Sequence, residues 1–162
     1  MKLNEVIAKY GNQEVDESKI KEVLGVKESK VWKPKEGEYA YLVFASGGIQ
    51  AHCSNSETEK FYDMGVVYQT KEEAEFARDK QIFLTKFERY LRENEDEPVD
   101  WKNESQPKYS VELNSRINSK NCIAVNNYYM KQGAIYTTNF EALNSYVKDN
   151  ESDIKKYMFG VE

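Results

Sequence analysis

The sequence predicts an α+β protein in which short N-terminal helices precede two antiparallel βββα-like units. Three observations carry this. Apolar residues recur at helical spacing twice before residue 25, the period changes to two from Tyr39, and one strand-to-helix segment occurs twice. The organisation expected is a helical region over 1–30, a first unit over 31–100, and a second over 101–162 that closes with a helical turn.

Leu3, Val6, Ile7 and Tyr10 form the apolar stripe of the first short helix, which Gly11 ends. Asp16 is placed to cap a second one carrying Ile20, Val23 and Leu24, stopped by Gly25. Trp32 before Pro34 predicts an extended arm whose indole covers one end of the core. Tyr39, Tyr41, Val43 and Ala45 alternate with Ala40, Leu42 and Phe44, as in a strand apolar on both faces. Ser46-Gly47-Gly48 marks a hairpin, with the returning strand over 49–53. A polar loop is expected over 54–60, then a third strand over 64–68.

Thr70-Lys71-Glu72-Glu73 opens a long helix through a capping box, in which the Thr70 hydroxyl and the Glu73 carboxylate each take one backbone N–H. Phe76, Ala77, Phe83, Leu84, Phe87, Tyr90 and Leu91 line one face of it. The acidic, turn-rich run Glu93-Asn94-Glu95-Asp96-Glu97-Pro98 ends it. The pattern then repeats: strands at 109–113, 122–125 and 134–137, and a shorter helix at about 139–148. Gly133 to Ala142 aligns with Gly65 to Ala74 as G-x-x-Y-x-T-x-x-E-A, five of ten positions being identical. A tandem duplication explains this, and so does convergence on one favourable strand-to-helix turn. Ile154, Tyr157, Met158 and Phe159 are too apolar for a free tail and predict a docked helical turn.

Composition bounds the function. A chain of 162 residues, 40% hydrophobic and 31% charged, is long enough for one folded domain. Its net charge of −5 gives no general attraction to nucleic acid or to an anionic membrane. The N-terminal stretch lacks the apolar run of a signal peptide, and the two cysteines, Cys53 and Cys122, form no CxxC pair, so a cytoplasmic setting is expected. With His52 as the single histidine, zinc sites built on HExxH or Cys2His2 are excluded, and no cofactor or metal is expected. His52 and Cys53 are neighbours on a strand and point to opposite faces, so they cannot act together as base and nucleophile.

The carboxylates Glu72, Glu73, Glu75 and Asp79, and the loop acids Glu93, Glu95, Asp96, Glu97 and Asp100, sit where capping, macrodipole matching and solvation account for them. A functional reading makes the loop acids a mimic of nucleic-acid phosphates, filling a basic groove on a partner. Tyr128-Tyr129, preceded by Asn126 and Asn127 and followed by Lys131 two residues on, read as an aromatic hydrogen-bonding patch suited to a protein interface. The partner-binding residues expected are therefore Glu95, Asp96, Glu97, Tyr128 and Tyr129. Trp32, Thr70, Glu73, Thr138 and Glu141 are assigned to folding.

Beyond these patterns, the chain resembles a loose family of small accessory proteins encoded by phages and prophages of Gram-positive bacteria. The resemblance rests on Trp32, Pro34 and Gly37-Glu38-Tyr39, on Gly65 to Glu75, on Asp100-Trp101 and Asn103, on Lys108-Tyr109, and on Ile154 to Val161. It spans residues 31–162 in short motifs of structural character and implies no catalytic residue. What it implies is a non-enzymatic inhibitor of a bacterial defence protein or ribonucleoprotein complex, an anti-CRISPR protein acting on a Cas effector being the most concrete form. A module that sequesters a small ligand or a nucleotide second messenger is the alternative, and a small nuclease or hydrolase is a third class. Oligomeric state is left open.

Overall fold

The computed structural model describes residues 31–114, 121–127 and 129–161, so the two expected N-terminal helices and Tyr128 lie outside the described residues. Strands β1 (Tyr39–Val43) and β2 (Ile49–Cys53) form the expected hairpin, closed by Phe44 N–H to the Gly48 carbonyl at 2.9 Å. Helix α1 (Thr58–Asp63) follows, then β3 (Val67–Tyr68) and the long helix α2 (Lys71–Glu93). Strands β4 (Tyr109–Asn114) and β5 (Asn121–Asn126) pair antiparallel, and helix α3 (Phe140–Asp149) leads into α4 (Glu151–Ile154) and a π-helical turn, Lys155–Phe159. The protein is α+β, with antiparallel sheets ordered β2-β1-β3 and β4-β5.

Two expectations about the first unit need correction. The polar stretch before residue 60 is not all loop, because α1 begins at Thr58. Asn55 Oδ1 accepts from Thr58 N–H at 3.2 Å while Thr58 Oγ1 accepts from Asn55 N–H at 3.0 Å, a reciprocal pair that fixes the turn leading into the helix. The third strand is shorter than the period suggested, since Gly65, at φ +72°, turns the chain just before it.

After α2 a strand pair and a helix again follow in that order, with no counterpart of α1 between them among the described residues. Gly133 sits at φ +76°, the counterpart of Gly65. The expected third strand contracts to one antiparallel bridge, Tyr109 with Thr137, on the side of β4 away from β5. β3 likewise pairs with β1 on the side away from β2.

The repeated cap does not form twice. In α2 the box is complete: Glu73 N–H donates to Thr70 Oγ1 at 3.1 Å and Thr70 N–H to Glu73 Oε2 at 3.2 Å. In α3 the helix starts one residue later, and Asn139 caps it through Ala142 N–H at 3.0 Å. The first unit has Lys71 at the matching position, which offers no acceptor, so Thr70 must cap there. Asn139 is at least as good a cap as threonine and leaves Thr138 free for another task.

α2 buries two of its sides. Ala74 and Phe83 are nine residues apart, two and a half turns at 3.6 residues per turn, and so face opposite ways. Ala74 is fully buried at the start of a helix that packs on β1, β2 and β3. Phe83, Phe87 and Leu91 enter the main core with Val111, Cys122, Leu143, Val147 and Ile154. Phe87 stacks on Tyr146 at 4.7 Å between ring centroids and on Phe83 at 6.2 Å. The smaller cluster of Ala40, Leu42 and Val67 is covered by Trp32 and Tyr62, as the extended arm predicted. Trp32 also donates its indole N–H to Glu38 Oε1 at 3.4 Å.

The C-terminal turn docks as expected. Ile154 is fully buried and the Tyr157 ring lies 5.5 Å from that of Phe83. Glu151 ties this segment to the sheet. Its Oε1 accepts from Lys155 Nζ at 2.9 Å and from Cys122 N–H at 3.2 Å, and the lysine first, the amide second, hold its carboxyl below the usual range. A folded-state pKa lowered in this way contributes stability above the unfolded value and loses it as pH falls through the folded one. Glu151→Gln is therefore expected to be less stable than the parent at pH 7, the gap closing as pH falls below about 4, the ordinary glutamate range. Thermal melts of both proteins from pH 7 to 3 check this, and a gap independent of pH would assign the effect to packing.

No helix among the described residues is long and apolar enough to cross a membrane.

Candidate functional site

The residues most distinctive for function gather where α2 ends and the chain crosses to β4. Asn94 caps the helix by donating its N–H to the Tyr90 carbonyl at 3.2 Å. The acidic run then passes the start of α3, where two side chains hold it. Thr138 Oγ1 donates to the Glu97 carbonyl at 2.8 Å, and Asn139 Nδ2 donates to the Asn94 carbonyl at 2.8 Å. Glu95, Asp96 and Glu97 thus project from a backbone braced at both ends. Thr138, expected only to cap, is one of the braces.

Gln106 pins the segment that follows. Its Oε1 accepts from Asp100 N–H at 2.6 Å and its Nε2 donates to the Pro98 carbonyl at 2.9 Å, both arms being used in a largely buried site. Lys108, only 4% exposed, donates from Nζ to the Asn103 and Gln106 carbonyls at 2.7 and 2.9 Å, and lies 5.5 Å from the centre of the Trp101 ring. Backbone carbonyls and an aromatic ring, rather than a carboxylate, stabilise this buried ammonium. β4 is accordingly buried on both faces: Val111 faces the core, while Ser110 on the other face meets Asn127 Nδ2 at 2.8 Å.

These ties place Trp101 edge-on to Tyr136, ring centroids 4.9 Å apart at 88°. An open cleft of about 300 Å³ is lined by Trp101 and Tyr136, by Glu88, Arg92 and Glu95 from the end of α2 and the residues after it, and by apolar residues including Leu91, Val99 and Ile135. Burial raises the Glu95 carboxyl above its usual range, and Arg92 partly offsets this.

The sequence-derived candidates divide. Glu95 lines the cleft, whereas Asp96 and Glu97 are exposed beside it on the braced loop. Tyr129 is 81% exposed, and its carbonyl accepts from the Tyr136 hydroxyl at 3.5 Å, which links it to the cleft wall. Tyr128 lies outside the described residues. Asn127, read as part of a binding patch, is instead buried and bonded to Ser110 and the Val125 carbonyl. Lys131 pairs with Glu112. On the long helix three of the candidate acids have local partners: Glu73 caps, Glu75 pairs with Lys71 and Asp79 with Arg78. His52 is half-buried on β2 and Cys53 is exposed.

Neither Trp101 nor Tyr136 is among the partner-binding residues expected from the sequence, Trp101 entering only through the resemblance. The signal for Tyr136 was its place in the repeated motif, which suggested a structural role like that of Tyr68. Tyr68 does bond back to the Gly65 carbonyl at 2.9 Å, but the Tyr136 hydroxyl turns to residues 129 and 131 instead.

No family model, curated protein or solved structure matches this chain.

Proposed function

We propose that the protein is a non-enzymatic, phage-encoded inhibitor that binds a bacterial defence protein and blocks it by occupying a functional surface, a CRISPR-Cas effector being the most concrete target. The braced acidic run carries this reading. Glu95, Asp96 and Glu97 stand on a loop held by Thr138 and Asn139, beside an aromatic wall and the exposed Tyr129. A surface ordered before binding loses little conformational entropy on association, and aromatic residues flanked by charge are typical anchors of protein interfaces. The context of the partner rests on the resemblance of the short sequence motifs to those of phage accessory proteins. Sequestration of a nucleotide is the weaker reading, because the cleft presents two carboxylates to one guanidinium and so disfavours phosphates.

The test is affinity capture from the lysate of a phage-susceptible Gram-positive host. The wild-type chain is compared with the triple variant Glu95→Lys, Asp96→Lys, Glu97→Lys. A defence protein recovered by the wild type, and lost by at least about tenfold with the variant, supports the reading; tenfold corresponds to about 1.4 kcal/mol. Recovery of no defence protein, or equal recovery by both chains, overturns it.

A further inference from the structure

The cleft beside the acidic run identifies what kind of side chain the partner would present. At about 300 Å³ it lies at the small end of the range of ligand pockets, roughly 300–1,000 Å³, which suits one long side chain. Its wall is aromatic, and its charged groups are Glu88 and Glu95 against Arg92, a net negative balance. The faces of indole and phenol rings attract cations. The Lys108 ammonium already lies 5.5 Å from the Trp101 ring, so Glu88 and Glu95 must supply the attraction for a further cation.

We propose that this cleft receives an arginine side chain of the protein partner, its guanidinium set against the aromatic lining of Trp101 and Tyr136 and paired with Glu88 and Glu95. Arginine fits better than lysine because its planar, weakly hydrated guanidinium can stack on a ring and offer a fork of N–H donors to carboxylates. Glu95 is partly withdrawn from water, so an incoming cation replaces solvation it lacks; its raised pKa has the same origin. The proposal rests on reading the chain as a protein-binding module and names the residue type it recognises.

The test needs no partner. Trp32 and Trp101 are the two tryptophans, so Trp32→Phe leaves Trp101 as the sole indole reporter. Blocked arginine amide is titrated against blocked citrulline amide, which keeps the planar shape without the charge. The expected result is a saturable change in Trp101 emission with arginine at about millimolar concentration, and a response at least about tenfold weaker with citrulline. Glu88→Gln with Glu95→Gln should weaken arginine by at least about tenfold and leave citrulline unchanged. Trp32 packs over the smaller core cluster, so amide NMR shifts of the unmodified chain provide a second reading, expected to concentrate at 88–101 and 134–136. No response to arginine, equal responses to both amides, or shifts centred elsewhere would overturn the proposal. Such a failure leaves capture from the lysate intact. Recovery of no defence protein by the wild-type chain, or equal recovery by both chains, with a normal titration overturns the inhibitor reading alone.

Discussion

Phe87→Ala is expected to destabilise the protein by about 4 kcal/mol, the usual cost of emptying a fully buried phenylalanine site. Phe87 is wholly buried between the Phe83 and Tyr146 rings, and its neighbours belong to α2, β4, β5 and α3. Truncation therefore opens a cavity where the long helix joins the second sheet, and rings held by other elements cannot collapse to fill it. For a chain of this length the midpoint of thermal unfolding should fall by about 12 °C. Urea unfolding with an unchanged slope would assign the loss to the native core. A fall of only a few degrees would mean that the two halves of α2 do not unfold as one unit.

Lys108→Met should cost about 3 kcal/mol although it removes no apolar contact. The thioether keeps most of the stem volume but leaves the Asn103 and Gln106 carbonyls without their donor, and each unsatisfied buried group costs about 1–3 kcal/mol. The midpoint should fall by about 9 °C. The loss should be accompanied by freer motion of Trp101, because the Lys108 ammonium holds the segment that carries it. Fluorescence anisotropy of Trp101 in the Trp32→Phe background measures that motion. Unchanged stability would show that water replaces the ammonium at both carbonyls.

Much of the scaffold is legible in the sequence alone. The hairpin at residues 44–48, the capping box at Thr70 and Glu73, the strand pair of the second unit and the docked C-terminal turn follow from short-range rules. In each case the partner is a few residues away or the period is unbroken. The errors arose where one local option competes with another. Thr138 had the right spacing for a cap, but Asn139 beside it serves equally well, so the helix shifted by one residue. Asn127 looked like a surface hydrogen-bonding group until Ser110, 17 residues earlier on the neighbouring strand, came within 2.8 Å.

Local spacing and residue chemistry were enough to define the α+β class, the long helix and the acidity of the loop that ends it, because period, capping and charge are properties of neighbouring residues. The cleft depended on distance in space. Glu95 and Trp101 come from the connector after α2 and Tyr136 from a distant stretch of chain, and the bonds that converge them run from Thr138 to Glu97, from Gln106 to Pro98 and from Lys108 to Asn103. Thr138 had a capping use of its own, and only packing of the start of α3 against the end of α2 decided against it.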